Sequence, residues 1–313
     1  MPDDSRCKGL STVAVQLLLI LLFVIWSNSF TAINHLRGIL SPMELILARF
    51  LPVSLFCTAF LLLKRERRAE SVEILRNEPL RIIGMSLFGV AGYNYFLYLG
   101  QSEVKPGAAA LLTTLAPLFT LILAIIFLRE KVPLRRTVGI ILAFAGLFFV
   151  VRWGKVGLGQ ITGISHAEVR YVLITGLAPL SWSLYTIIGK NIVRKRSPLT
   201  VTYLSLILGT IPFLALTSNH FLETLAGMGH THWIALIHLS VLCTLVGFWI
   251  WITALRYLPA TSVASFVYLN PPLAALFGWL FFQEEITGLF LVGSGVVLLG
   301  LYLAQSKKEL SER

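Results

Sequence analysis

Ten long apolar segments, separated by short polar ones, constrain this chain more than any other feature of its sequence. They cover about residues 12–32, 43–63, 82–100, 107–128, 134–152, 169–189, 199–218, 233–254, 261–282 and 286–304. A helix needs roughly 20 apolar residues to cross the hydrocarbon core of a bilayer. Only 13% of the residues are charged. We therefore predict an all-α polytopic membrane protein with ten transmembrane helices, which we call spans one to ten.

The basic residues of the polar segments indicate how these helices are oriented. Lys and Arg accumulate on the cytoplasmic side of membrane proteins. With the N-terminus inside, cytoplasmic segments hold 20 of the 26 Lys and Arg residues and outer segments hold five, while Arg49 lies within span two. We predict a multi-pass protein of the cell (inner) membrane with both termini cytoplasmic. The net charge of +11 is then explained by basic residues that set the topology and lie next to the lipid headgroups. We therefore expect no nucleic-acid partner.

The chain also contains an internal repeat. A shift of 154 positions aligns residues 100–151 with residues 254–305 without a gap. The identities include residues that an apolar background does not favour by chance, namely Pro117 with Pro271, Glu130 with Glu284, Gly139 with Gly293 and Gly146 with Gly300. Upstream, a shift of 156 positions pairs Ser41 and Pro42 with Ser197 and Pro198, so the repeat covers most of both halves.

The repeat predicts how the two halves are arranged. Each copy holds five spans, and because five is odd the second copy must enter the membrane in the opposite orientation. We therefore predict two inverted five-helix repeats, residues 1–152 with spans one to five and residues 153–313 with spans six to ten. Inverted repeats are typical of alternating-access transporters, in which similar halves exchange inward and outward roles around one central site.

Several motifs of the chain resemble those of a known family. They are Trp26-Ser27 in span one, Ala48-Arg49-Phe50 in span two, Ala254-Leu255-Arg256-Tyr257 before span nine, and the repeated Pro and Glu positions. Together they are similar, over essentially the whole chain, to the EamA type of the drug/metabolite transporter superfamily. The resemblance implies transport of amino acids and other small metabolites. It also implies a central cavity lined mainly by spans one, three, four, six, eight and nine, with spans five and ten as outer packing helices.

Polar and aromatic side chains in those spans are the candidate substrate-binding residues. Several share a helical face with a partner four residues away, and several lie too deep for the interfacial belt that Trp and Tyr otherwise form. The belt remains the alternative explanation for the others. The candidates are Trp26, Asn28, Arg49, Asn94, Tyr98, Thr113, Trp182, Tyr185, Trp249, Tyr268 and Asn270.

Two prolines and two glutamates are assigned structural roles. Pro117 and Pro271 each free the carbonyl four residues back, and such carbonyls at membrane depth must face protein or a wet cavity. They either open the backbone at the substrate site or only kink the helix for packing. Glu130 and Glu284 recur on opposite sides of the membrane, so their common role must be architectural. The simplest one ties each short turn to the start of the following helix.

Arg49 is the sole Lys or Arg residue in the interior of a predicted span, since the others that fall within the bounds lie at or near the ends of spans five and six. A charge at that depth is costly and marks a functional site by default. Arg49 either holds a substrate carboxylate or orients a gate helix through hydrogen bonds. Alternatively, its long side chain snorkels to the outer headgroups and has no substrate role.

The chain offers no residue cluster for catalysis or for metal binding. No predicted span brings Asp, His or Cys together at one level, as a membrane enzyme requires. Cys7, Cys57 and Cys243 lack ligand spacing, and we expect His230-Thr231-His232 to lie in a solvated outer loop. We predict that the protein is not an enzyme and uses no cofactor and no metal ion.

An aromatic and almost uncharged lining suits neutral, zwitterionic or apolar solutes, because a phosphorylated solute requires several buried Lys or Arg residues. We predict a transporter that exports a small organic metabolite, either an amino acid or an aromatic or amphipathic solute, by alternating access. A flippase of the same fold, acting on a lipid or lipid-linked substrate, is the alternative. The expected partners are the solute and the bilayer, with the chain acting as a monomer or homodimer.

Overall fold

The computed structural model describes residues 10–101, 109, 112–153, 166–216, 220–270, 272–273, 276–277 and 288–305. Within these residues the regular secondary structure is helical and contains no strand. Each predicted span coincides with helical segments, which cover Thr12–Leu36, Pro42–Leu63, Pro79–Gly100, Ala116–Leu128, Leu134–Trp153, His166–Ile192, Pro198–Leu214, His230–Tyr257, Ala260–Leu269 and Gly288–Ala304. Five helices in the described part are long and apolar enough to cross a bilayer, and four apolar helices are shorter. The predicted all-α membrane fold is confirmed.

Residues related by the repeat contact one another near the axis that relates the two halves. Ser54 in span two and Thr210 in span seven are 156 positions apart, which is the upstream repeat shift, and their hydroxyl oxygens lie 2.8 Å apart. Two residues at equivalent positions of a repeat are expected to contact each other where a twofold axis relating the two halves runs between them. This contact supports the inverted arrangement of two five-helix repeats.

Spans five and ten pack against each other at glycines of the repeat. A Cβ atom on Gly139 would lie 2.6 Å from the carbonyl oxygen of Gly300, and one on Gly300 would lie 2.4 Å from the backbone nitrogen of Ala143. Only glycine permits so close a backbone approach. Buried residues of these spans form a small cluster with Leu121 and Tyr268, separate from the main core. The expected packing role of spans five and ten agrees with this arrangement.

Several of the helices contain irregularities that the apolar pattern of the sequence does not predict. Span one breaks at Asn28, between helices Thr12–Ser27 and Ser29–Leu36. Spans three and eight contain wide π-helical turns at Ser86–Gly92 and His238–Val246, which the repeat shift places at equivalent positions. A third π-helical turn, Ala124–Leu128, ends span four. π-helical turns are rare and often occur at functional sites.

Two further helices occupy polar segments between the predicted spans. Helix Arg65–Asn77 connects spans two and three, and helix Phe221–Ala226 precedes span eight. The first, which we call the surface helix, lies at the end of the bundle where spans two, four and six finish. We call this end the basic end.

Candidate functional site

A cavity that opens to solvent lies between the two halves. Spans one, three, four, six, eight and nine contribute to its wall, as the resemblance implied, and Arg49 adds span two. It occupies the half of the bundle away from the basic end. Its lining residues are Phe23, Trp26, Ser29, Phe30, Ile33, Arg49, Tyr93, Leu97, Thr113, Ala116, Trp182, Phe248, Val267 and Asn270.

Five of the eleven substrate-binding candidates line this cavity: Trp26, Arg49, Thr113, Trp182 and Asn270. Three more lie directly behind the wall. Asn94 and Tyr98 are hydrogen-bonded to Arg49, and the ring of Tyr185 lies 5.0 Å from that of Trp182.

The structure does not bring the other three candidates to the cavity. Asn28 lies at the break in span one, and Tyr268 is packed in the cluster of spans five and ten. Trp249 is 38% exposed, whereas Trp251 is fully buried among the cavity aromatics. The π-helical turn just before this part of span eight changes which face of the helix points inward, so a regular helical period selects the wrong tryptophan.

Arg49 is 6% exposed and is held by three neutral side chains. Its Nε donates to Thr244 Oγ1 at 2.6 Å, and its Nη1 donates to Tyr98 Oη at 2.6 Å and to Asn94 Oδ1 at 3.4 Å. No acidic residue among those described pairs with it, and Nη2 makes no hydrogen bond with any of them. The snorkelling alternative is not realised, because the guanidinium is turned into the protein.

The π-helical turns of spans three and eight orient the groups that hold Arg49. The side-chain nitrogen of Asn94 donates to the carbonyl oxygens of Val90 at 2.8 Å and Gly89 at 3.4 Å. Thr244 Oγ1 donates to the carbonyl oxygen of Leu239, five residues earlier, at 2.8 Å. The donor groups of Asn94 and Thr244 are thus bonded to carbonyl oxygens of their own helices. Asn94 Oδ1 and Thr244 Oγ1 therefore act as hydrogen-bond acceptors toward Arg49.

Aromatic rings form the rest of the cavity wall. The ring of Trp182 lies 5.0 to 5.4 Å from those of Tyr93, Trp251, Phe248 and Trp26. Trp26 Nε1 donates to the carbonyl oxygen of Cys243 at 2.9 Å, which fixes the indole in the wall. Such contacts supply apolar area and electron-rich ring faces.

The two prolines and two glutamates were assigned structural roles, and only Pro117 and Glu130 fall within the described residues. Pro117 stands in the first turn of helix Ala116–Leu123, after a turn at Thr114 and Leu115, rather than in the middle of a continuous helix. Pro271 and Glu284 lie outside the described residues.

Glu130 does not stabilise the helix that follows it. Its Oε1 accepts from the backbone nitrogen of Ala260 at 2.9 Å and its Oε2 from Thr261 Oγ1 at 3.1 Å, so it caps the start of span nine. Arg129, in a left-handed conformation with φ of 51°, ends the preceding helix at this point. The side chain is architectural as expected, but its partner is distant in the sequence and no local pattern identifies it.

The histidines on the side opposite the basic end form a pair between spans one and eight. The rings of His35 and His232 are stacked, with centroids 4.5 Å apart and planes 13° apart. His232 belongs to helix His230–Ile237, so the expected loop is a helix. No group of three or more metal-ligating side chains occurs in the described part of the chain.

Comparisons with known proteins agree with this architecture. The model of the EamA-like transporter family matches residues 14–152 and, separately, residues 169–305. An uncharacterized transporter of Archaeoglobus fulgidus is 29% identical and covers 93% of this chain and 99% of its own length. The threonine/homoserine exporter RhtA of Escherichia coli K12 is 27% identical over 70% of this chain and 68% of its own. A solved crystal structure with 18% identity has a TM-score of 0.71 and covers 94% of this chain and 96% of its own, which shows a shared fold.

Proposed function

Since the chain belongs to the EamA-like transporter family, whose domain it contains twice, we propose that it exports a small solute bearing a carboxylate, such as an amino acid. It is a multi-pass membrane protein and a transporter of a small solute rather than an enzyme. The nature of the solute and the direction of transport are the proposal.

The charge of Arg49 carries the proposal. A buried guanidinium is costly unless it is paired with an anion, and the described partners of Arg49 are all neutral. Because Arg49 lines the cavity, an incoming carboxylate provides the missing charge. Nη2, which makes no hydrogen bond to the described residues, is available as its donor.

Other parts of the cavity wall suit an ammonium group. The Oδ1 atom of Asn270 is buried and accepts no hydrogen bond from the described residues. An electron-rich wall of Trp26, Tyr93 and Trp182 lies in the same cavity, and cations are attracted to such ring faces. A zwitterion therefore finds a cation for its carboxylate and acceptors for its ammonium group. The similarity to RhtA, named as a threonine/homoserine exporter, supports the same class of solute.

We further propose that the basic end faces the cytoplasm, because most Lys and Arg residues belong to segments at that end. The cavity then lies toward the outside in this conformation. At the basic end, Lys190 Nζ donates to the carbonyl oxygens of Leu255 and Leu258, both at 2.7 Å, and joins spans six and eight. Transport requires the repeats to rock so that this closed end opens.

Uptake into proteoliposomes tests the proposal with matched pairs of solutes. Each amino acid is compared with the amine that lacks its carboxylate, for the unaltered protein and for Arg49→Gln. We expect the KM of the amino acid to rise about 10- to 100-fold in Arg49→Gln, as for the loss of a charged hydrogen bond, while the KM of the amine is unchanged.

Arg37→Gln, which removes an arginine outside the cavity wall, is the control and should leave both KM values unchanged. Equal effects of Arg49→Gln on both solutes contradict a carboxylate site. Lipid scrambling without uptake of any small solute contradicts the transporter and favours a flippase.

A further inference from the structure

The surface helix, Arg65–Asn77, separates its residues onto two faces. At 3.6 residues per turn, one face presents basic and apolar residues and the opposite face presents the residues that contact the bundle. The outer face consists of Arg65, Arg68, Ala69, Val72, Leu75 and Arg76, and the inner face of Arg67, Glu70, Ser71 and Ile74.

The inner face attaches the helix to the second half of the protein. Glu70 Oε1 accepts from the backbone nitrogen of Ser197 at 2.7 Å, and its Oε2 accepts from Thr200 Oγ1 at 2.6 Å. Glu73 and Glu78 both pair with Arg196, at 2.5 and 3.2 Å. These carboxylates are thus engaged with the protein and do not neutralise the outer face.

The outer face carries positive charge without partners. Arg65, Arg68 and Arg76 are exposed and form no ion pair with the described residues, and the same holds for Lys64 just before the helix. Between them Val72 is 61% exposed and Leu75 is 41% exposed. A face that alternates arginine with aliphatic residues is typical of helices lying in a membrane interface.

The lipid-facing surface of the bundle continues on both sides of the surface helix. Leu63, at the end of span two, and Leu80, at the start of span three, are each 82% exposed. The surface helix joins these two spans, so it lies at the level where the hydrocarbon meets the headgroups. There Val72 and Leu75 reach the acyl boundary while the arginine heads remain among the phosphates.

From this arrangement we propose that the outer face of the surface helix is a binding site for anionic phospholipids, whose phosphodiester groups contact Arg65, Arg68 and Arg76. Positive charge next to a membrane surface favours anionic headgroups.

Native mass spectrometry of the purified full-length protein tests the site, with phosphatidylglycerol and phosphatidylcholine of identical acyl chains. We expect the unaltered protein to prefer phosphatidylglycerol. In the triple variant Arg65→Gln, Arg68→Gln and Arg76→Gln, the preference for phosphatidylglycerol over phosphatidylcholine should fall at least about tenfold. The corresponding triple Lys variant keeps the charge and should retain most of the preference.

A control removes the same charge at the same end through Arg194→Gln, Lys195→Gln and Arg256→Gln, and should keep the preference. An equal loss of the phosphatidylglycerol preference in this control would mean that the overall charge of this end, and not a specific site, attracts the lipid. That result would contradict the proposal. An unchanged preference in the first triple variant would also overturn it. Competition by inorganic phosphate at equal concentration would indicate a free-anion site instead. If the triple Gln variant does not fold, the three single Gln variants at positions 65, 68 and 76 take its place, and an unchanged preference in all three contradicts the proposal.

Discussion

Arg49 depends on Tyr98 for its position in the cavity wall, since the two share a 2.6 Å hydrogen bond in a buried site. Tyr98→Phe removes the acceptor and keeps the ring. We expect the KM for an amino acid to rise about three- to tenfold, because one charged hydrogen bond is lost and Arg49 becomes mobile. The maximal rate should change little.

Transport kinetics in proteoliposomes measure this effect, and Tyr95→Phe is the matched control, since no hydrogen bond of Tyr95 is described. A purely structural role for Tyr98 would instead lower the thermal stability and leave the KM of the folded fraction unchanged.

Gly247 permits Trp26 to lie in the wall. A Cβ atom at this position would be 2.6 Å from Trp26 Nε1 and 3.1 Å from Leu22 Cδ1. Gly247→Ala should therefore displace the indole of Trp26 and break its hydrogen bond to the carbonyl oxygen of Cys243. We expect the protein to be destabilised by about 1–3 kcal/mol. Thermal unfolding and uptake measure the two effects. Gly176→Ala, where no atom lies within 4 Å of the added Cβ, should be neutral, and equal behaviour of the two variants would contradict this explanation.

At the scale of elements, Glu78 connects span three to the polar segment before span seven. Burial raises the pKa of Glu78, but its hydrogen bonds and charge interactions with Arg81 and Arg196 outweigh that effect and hold the pKa below its usual value. A carboxyl whose pKa is lowered by folding contributes stability above its unfolded pKa of about 4.3 and loses it as the pH falls through the folded value.

We therefore expect Glu78→Gln to be less stable than the unaltered protein at pH 7 and the difference to shrink below about pH 4. Thermal unfolding of both proteins in detergent across this range measures it. Glu66→Gln, at an exposed position of the preceding surface helix, is the control. A difference that is independent of pH would assign the effect of Glu78 to packing rather than to charge.

The sequence predicts elements well where apolar length decides the structure and poorly where a local irregularity does. Each of the ten apolar segments overlaps a helix in the described part of the chain, because long apolar segments cross the bilayer as helices. The surface helix was missed because it is polar and too short to span. The π-helical turn at His238–Val246 has no recognisable sequence pattern, so the sequence pointed to Trp249, whereas Trp251 is the residue that packs against the aromatic rings of the cavity wall.

For the whole molecule, the repeat predicted more than the individual motifs did. Its inverted symmetry follows from an odd number of spans, and the contact between Ser54 and Thr210 lies where that symmetry requires it. Pairings between distant residues were not predictable, since nothing near Glu130 in the sequence indicates Ala260 as its partner. Tyr98 and Asn94 were identified from their shared helical face, but their role in holding Arg49 required the three-dimensional arrangement.

Accessibility of the cavity wall tests the central claim, that a transport cavity between inverted repeats faces the outside and binds an amino acid. Ser29→Cys, at a half-buried position of the cavity wall, is introduced after the three native cysteines are replaced, and Lys195→Cys marks the basic end. An impermeant maleimide is applied to right-side-out vesicles. We predict that Ser29→Cys reacts from outside, that a transported amino acid slows the reaction, and that Lys195→Cys reacts only after permeabilisation. Reaction of Lys195→Cys from outside, or a reaction of Ser29→Cys that no amino acid slows, would contradict the account.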